Sequence, residues 1–123
     1  MGISLQTYIV RDSAQITQAL EVIKASKSRC AIVVNDEDKV VGVFSEGDVL
    51  SALLRGTSIK APLKQVLRPS FHYLHSRDFH KAYTLAKTDG ITLLPIVDEE
   101  FHLCEVLTLF DLLSALELRN EAP

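Results

Sequence analysis

Apolar and polar residues alternate along this chain in two registers, one helical and one extended, and each stretch occurs twice. Ile16, Ala19, Leu20 and Ile23 recur at i, i+3, i+4 and i+7, the spacing of one buried helical stripe, and Asp12 or Ser13 just before them offers an N-cap. Tyr8-Ile9-Val10 ahead of it reads as a brief strand. Behind it, Cys30-Ala31-Ile32-Val33-Val34 and Val40-Val41-Gly42-Val43-Phe44 flank the polar stretch Asn35 to Lys39, which predicts strand, turn, strand. A second helix follows from about Glu46 to Arg55, with Gly56 as its stop.

The same order returns later. Phe79, Ala82, Tyr83 and Ala86 form a second helical stripe, with Ser76 as the expected cap and Asp78 in the first turn, where the helix dipole favours a carboxylate. Leu93-Leu94-Pro95-Ile96-Val97 and Leu103 to Leu107 bracket the acidic turn Asp98 to His102, and a helix is expected from about Leu109 to Leu118. Pro95 cannot donate to a ladder, so it marks a strand end or edge. Pro62 stands near the start of a helical turn running to Arg68, a piece the first copy lacks.

The duplication is in register. Asp48-Val49-Leu50-Ser51-Ala52-Leu53 recurs as Asp111-Leu112-Leu113-Ser114-Ala115-Leu116, at an offset of 111 − 48 = 63. Carried back without a gap to Leu5 and Arg68, that offset gives 11 identities in 49 positions, where about one in fifteen is the chance expectation. Two copies of a β-α-β-β-α unit account for this. The fold class is α/β in composition and α+β in layout: two pseudo-symmetric repeats packed through their sheets. The first spans 1–56, a linker 57–61 follows, and the second spans 62–123. Neither half is large enough for a core of its own, so they share one.

Composition narrows the functions. With 123 residues, 47% apolar and 24% charged, the chain is one domain's worth of ordinary soluble sequence, and no apolar run approaches the roughly 18 residues of a membrane span. A net charge of −3 argues against a nucleic acid partner, which needs a basic face. Met1-Gly2-Ile3-Ser4 lacks the basic and then apolar blocks of a secretory leader, and a cytoplasmic location is the default. Cys30 and Cys104 are not repeat equivalents, lack zinc-type spacing, and are expected as two buried core thiols.

Two such units, each ending in strand, Ser/Thr-x-x-Asp and helix, resemble a tandem pair of cystathionine beta-synthase (CBS) domains, a Bateman module. The resemblance rests on Val40 to Asp48, on Leu94-Pro95-Ile96-Val97-Asp98 and on Val106-Leu107-Thr108-Leu109-Phe110-Asp111, and covers nearly the whole chain. It implies a non-catalytic regulatory module, with no required cofactor, that binds AMP, ADP, ATP, NAD or S-adenosylmethionine between the copies and modulates a fused or partner catalytic or transport domain. It further implies that Asp48 and Asp111 read ribose hydroxyls with Ser45 and Thr108 beside them, Thr108-x-x-Asp111 being the closer match to the family motif. Arg29 is the phosphate candidate, and adenine is expected near Tyr8-Ile9 and Phe71-His72, with Ile32 or Pro95 close by. An ionised carboxylate suits a ribose, because it accepts from both neighbouring hydroxyls.

Several features pull the other way. Hydroxyl and acid three residues apart also make a capping box, a purely structural role that can coexist with ribose reading. Glu105 replaces the strand glycine Gly42, and Thr92 replaces Arg29, which favours the alternative of a structural dimerisation module with empty clefts. His72, His75, His80 and His102 do not assemble into a metal set, and no P-loop or nucleophile elbow appears. Apolar faces on the helices after each Asp (Val49, Leu50, Leu53 and Leu112, Leu113, Leu116) predict a homodimer.

Overall fold

The computed structural model describes residues 4–121, so Met1 to Ile3 and the last two residues lie outside the described part. A 3-10 turn at Leu5–Tyr8 leads into β1 (Ile9–Arg11), α1 (Ile16–Ser26), β2 (Cys30–Val34), β3 (Val40–Ser45) and α2 (Glu46–Leu54). After the connecting segment and a 3-10 turn at Leu63–Gln65 come α3 (Phe79–Asp89), β4 (Leu93–Val97), β5 (Leu103–Thr108) and α4 (Leu109–Glu121). From α1 onward, each element of the second half starts 63 residues after its counterpart. Even the left-handed positions repeat: Lys27 and Gly90 end their helices, and Asp38 and Phe101 close their hairpin turns.

The first sheet runs β1-β2-β3, parallel and then antiparallel, while the second is the antiparallel pair β4-β5. The first strand of the second repeat is thus reduced to one parallel bridge, Leu74 to Ile96. Pro95 explains part of this. It sits in mid-strand, buried, with its carbonyl turned toward Leu74, so the nitrogen that lacks a proton faces the same, nearly empty edge. The sequence expectation of an edge holds, but that of a strand end does not.

Alternation along the central strands makes a four-layer stack. Ala31 and Val33 pack with Ile16, Ala19, Ile23, Phe44, Val49 and Ala52 under α1 and α2, while Ile32 and Val34 turn to the other side. There they meet Leu93, Val97, Tyr8 and Val40 in a core shared by both sheets. Leu94, Ile96 and Leu107 pack with Leu74 and Ala82 under the second pair of helices. The halves also join through the backbone, where Val40 N–H donates to the Phe101 carbonyl at 2.8 Å.

Three local expectations are corrected. α1 is not capped by Asp12 or Ser13: it begins at Ile16, after Gln15, whose N–H donates to Gln18 Oε1 at 2.9 Å. The reason is long-range. The Ala61 and Ile59 carbonyls accept from Ile16 and Thr17 N–H, and the Asp12 and Ala14 carbonyls accept from Lys64 and Leu63 N–H, so the connecting segment supplies the cap. α3 is capped by Asp78, whose Oδ1 accepts from Lys81 N–H at 3.0 Å, and not by Ser76. Cys104 is exposed, because the register shift that pairs Val97 with Leu103 and Ile96 with Glu105 leaves it as an unpaired bulge. Cys30 is only partly buried.

Candidate functional site

Each Ser/Thr-x-x-Asp lies where a hairpin strand enters the following helix, and both are built alike. Ser45 N–H and O–H donate to Asp48 Oδ2 at 2.9 and 3.0 Å, and Asp48 N–H returns a bond to Ser45 Oγ at 3.1 Å. Thr108 and Asp111 reproduce all three distances. Both are capping boxes. The box engages one carboxylate oxygen, Oδ2, and leaves Oδ1 outside it. Asp48 Oδ1 is met by Arg68 at 3.0 Å, a pair in which the carboxylate is 17% exposed and the guanidinium 76%.

A cleft of about 730 Å³ opens in front of Asp48, between the halves. The first repeat contributes Arg29, Cys30, Ser45 and Glu46, and the second contributes its entry segment at Arg68 to His72 together with Asp89 to Leu93 from the end of α3 into β4. Three of the five sequence-predicted residues, Ser45, Asp48 and Arg29, therefore come together here; of the residues named for adenine, Phe71 and His72 line this cleft, and Tyr8, Ile9, Ile32 and Pro95 do not. Thr92 shares this cleft with Arg29 rather than serving a separate one. Glu105 does not line it: it pairs with Arg77 at 2.9 Å, and that guanidinium stacks on Phe79.

Asp111 and Thr108 stand apart from this cleft, on the other side of the pseudo-twofold. The Asp111 charge is felt by Tyr8, whose phenol is pushed above its ordinary value first by burial and then by that carboxylate. Tyr8 is the repeat equivalent of Phe71, so each Asp faces the entry segment of the opposite repeat. The arrangement is reciprocal.

The charged groups of the Asp48 cleft lie close to one another. Arg29 Nε is 3.9 Å from Glu46 Oε1, and His72 Nε2 is 3.3 Å from Asp89 Oδ2. Burial pushes the Cys30 thiol up; a hydrogen bond with the Thr92 side chain opposes this, and the charges of Asp48 and Glu46 reinforce it. Sequence reasoning missed Arg68 and Asp89. Their repeat equivalents are Leu5 and Ser26, so neither carries a repeated signal, and only the docking of the halves brings them to Asp48.

Comparison with known proteins agrees with this fold. Residues 6–55 match the CBS domain family. That match covers the first half, and the two halves together have the fold of a CBS domain pair. It is 26% identical to CBSX2, solved in complex with AMP, with a TM-score of 0.74 over 90% of this chain and 88% of that one. A CBS domain protein from Pyrobaculum aerophilum, also complexed with AMP, is 20% identical, with a TM-score of 0.73 over 91% of this chain and 90% of that one. An uncharacterized protein of Helicobacter pylori strain J99 is 34% identical over 108 residues, which is 85% of this chain and 32% of that protein. The chain thus spans about a third of the length of the curated relatives it matches. No helix among the described residues is long and apolar enough to cross a membrane.

Proposed function

We propose that this chain is a non-catalytic regulatory module that binds an adenine nucleotide or another adenosyl ligand, such as S-adenosylmethionine, in the Asp48 cleft. The observation that carries the reading is the Asp48 carboxylate at the cleft: the capping box fixes Oδ2, while Oδ1 lies outside the box and is met by the exposed Arg68 guanidinium, a contact that a ligand can displace. Such an oxygen accepts ribose hydroxyls, Arg68 and Arg29 meet a phosphate, and Phe71 offers an apolar face to a base. AMP in two similar structures supports this choice of ligand class. Asp111 and Thr108 form the reciprocal site.

Because the cleft walls come from opposite repeats, a ligand that fits one relative placement of the halves better than another shifts the balance between them. The recipient of that shift is a fused or partner catalytic or transport domain, in a cytoplasmic setting. A second copy of the chain is the partner for the apolar surface on α2 and α4. Val49 and Leu112 point inward, whereas Leu50, Leu53, Leu54, Leu109, Phe110 and Leu113 remain exposed, with Leu54 at 79% and Phe110 at 76%. Light scattering at tens of micromolar should give a dimer, and Phe110→Asp should give a folded monomer. A wild-type monomer would remove this part of the reading.

The alternative, an interaction module with empty clefts, draws support from one feature: among the described residues, both guanidinium groups in the cleft already have a carboxylate partner. Calorimetry with AMP, ATP, NAD and S-adenosylmethionine decides between the two. Silence for all four at millimolar concentration would leave only the alternative.

A further inference from the structure

We infer that Asp89 is a specificity residue that restricts the Asp48 cleft to adenosyl ligands of low negative charge, nucleoside or nucleoside monophosphate, over di- and triphosphates. The inference rests on the proposal that adenosyl ligands bind in this cleft. Besides the Cys30 thiol, six charged or titratable side chains line it: Arg29, Arg68 and His72 against Glu46, Asp48 and Asp89. The three carboxylates outnumber the two guanidinium groups. A monophosphate ester carries about two negative charges near neutral pH, which Arg29 and Arg68 together balance. Each further phosphate adds negative charge for which the cleft holds no further guanidinium, in a space lined by carboxylates.

Asp89 is the carboxylate with no other explanation. Asp48 completes the capping box, and Glu46 lies in the first turn of α2, where the helix dipole favours an acid. Asp89 is the last residue of α3, before Gly90, which adopts φ +68 as the C-cap. That end of a helix favours cations, so a carboxylate there works against the dipole. The carbonyl end of α3 and the Asp89 carboxylate add their negative potentials at one wall of the cleft, held by a single contact to His72 at 3.3 Å. The first repeat contributes the N-terminal end of α2 together with Arg29, Glu46 and Asp48. One phosphate can be met by Arg29 and Arg68, and further phosphates meet the negative potential around Asp89.

The test is calorimetry with adenosine, AMP and ATP, with chelator present, on the wild type, on Asp89→Asn and on Asp36→Asn. The second variant removes the same charge from the exposed β2–β3 turn. Asparagine keeps an acceptor for His72, so the fold is retained. In the wild type, ATP should bind about tenfold or more weakly than AMP, a gap that narrows as salt is raised. Asp89→Asn should shrink the ATP to AMP ratio about threefold or more, with adenosine affinity within about twofold, because a neutral ligand does not feel the charge. Asp36→Asn should leave the ratio as it is. Equal wild-type affinities for AMP and ATP, a ratio unmoved by Asp89→Asn, or the same shift from Asp36→Asn would overturn the inference while leaving adenosyl binding intact. Absence of binding by all three ligands would overturn the underlying proposal as well.

Discussion

Capping and ribose reading make opposite demands on Ser45 and Asp48, so two substitutions separate them. Ser45→Ala removes the hydroxyl that accepts from Asp48 N–H at 3.1 Å, while the Ser45 backbone N–H still holds Asp48 Oδ2 at 2.9 Å. Loss of an N-cap hydroxyl costs about 1 kcal/mol. For a domain of this size that lowers Tm by about 3–6 °C. The carboxylate stays in place, so nucleotide affinity should change by less than about threefold. Asp48→Glu does the reverse. Glutamate at the third helical position is the usual partner in a capping box, so stability should stay within about 0.5 kcal/mol. The extra methylene displaces the oxygen that faces the cleft, and a hydrogen bond to a charged group is worth about 1.5–3 kcal/mol, so affinity should fall about tenfold to 150-fold. Thermal unfolding and calorimetry on both variants are the assay. If Asp48→Glu binds nucleotide as the wild type does, Asp48 is a cap alone. Asp111→Glu is the parallel experiment on the reciprocal site, and if both glutamate variants bind normally, the ribose assignment is refuted.

The repeat-equivalent pair Gly42 and Glu105 should respond unequally to exchange. A Cβ at Gly42 would come within 3.2 Å of Leu67 Cδ2, so Gly42→Glu adds overpacking and an unpaired acid and should cost more than about 3 kcal/mol in urea unfolding. Glu105→Gly loses a half-exposed ion pair to Arg77, and should cost about 1–2 kcal/mol with the strand glycine included. For the thiols, exposed Cys104 should react with a disulfide reagent well before Cys30, whose thiol is pushed up by burial and so yields less thiolate near pH 8. Equal rates would contradict the bulge at Cys104.

Most of the fold was legible because the repeat states each element twice. Periodicity found the buried stripes of α1 and α3 and the strands around both hairpins, and the duplicated Ser/Thr-x-x-Asp predicted two capping boxes that the coordinates show with matching distances. What was not legible depends on contacts between distant segments. The cap of α1 comes from the Ala61 and Ile59 carbonyls, which no local motif announces, so Asp12 and Ser13 were the natural but wrong candidates. The bulge that exposes Cys104 is a property of the pairing of β5 with β4, not of the string Leu103-Cys104-Glu105. In the cleft, the motif pointed to Asp48 and Ser45, but Arg68 and Asp89 arrive from the other half. The closer motif match at Asp111 gave no hint that the described cleft would open at Asp48.

The segment that caps α1 also fixes where the two halves can pivot. Leu63 is fully buried beneath the first repeat's helices, with Ile59, Ala61, Val66 and Leu67 packed against the same cluster, although it lies in what the repeat marks as the second copy. Mechanically, residues 59–67 belong to the first half, like a strap sewn to its edge. Any rocking of one half against the other must therefore bend the chain just beyond Leu67, in the irregular stretch before Leu74. Arg68 is the first residue of that stretch, and its guanidinium grips Asp48 across the cleft. On the proposed function, a ligand that displaces Arg68 from Asp48 would act where the two halves join.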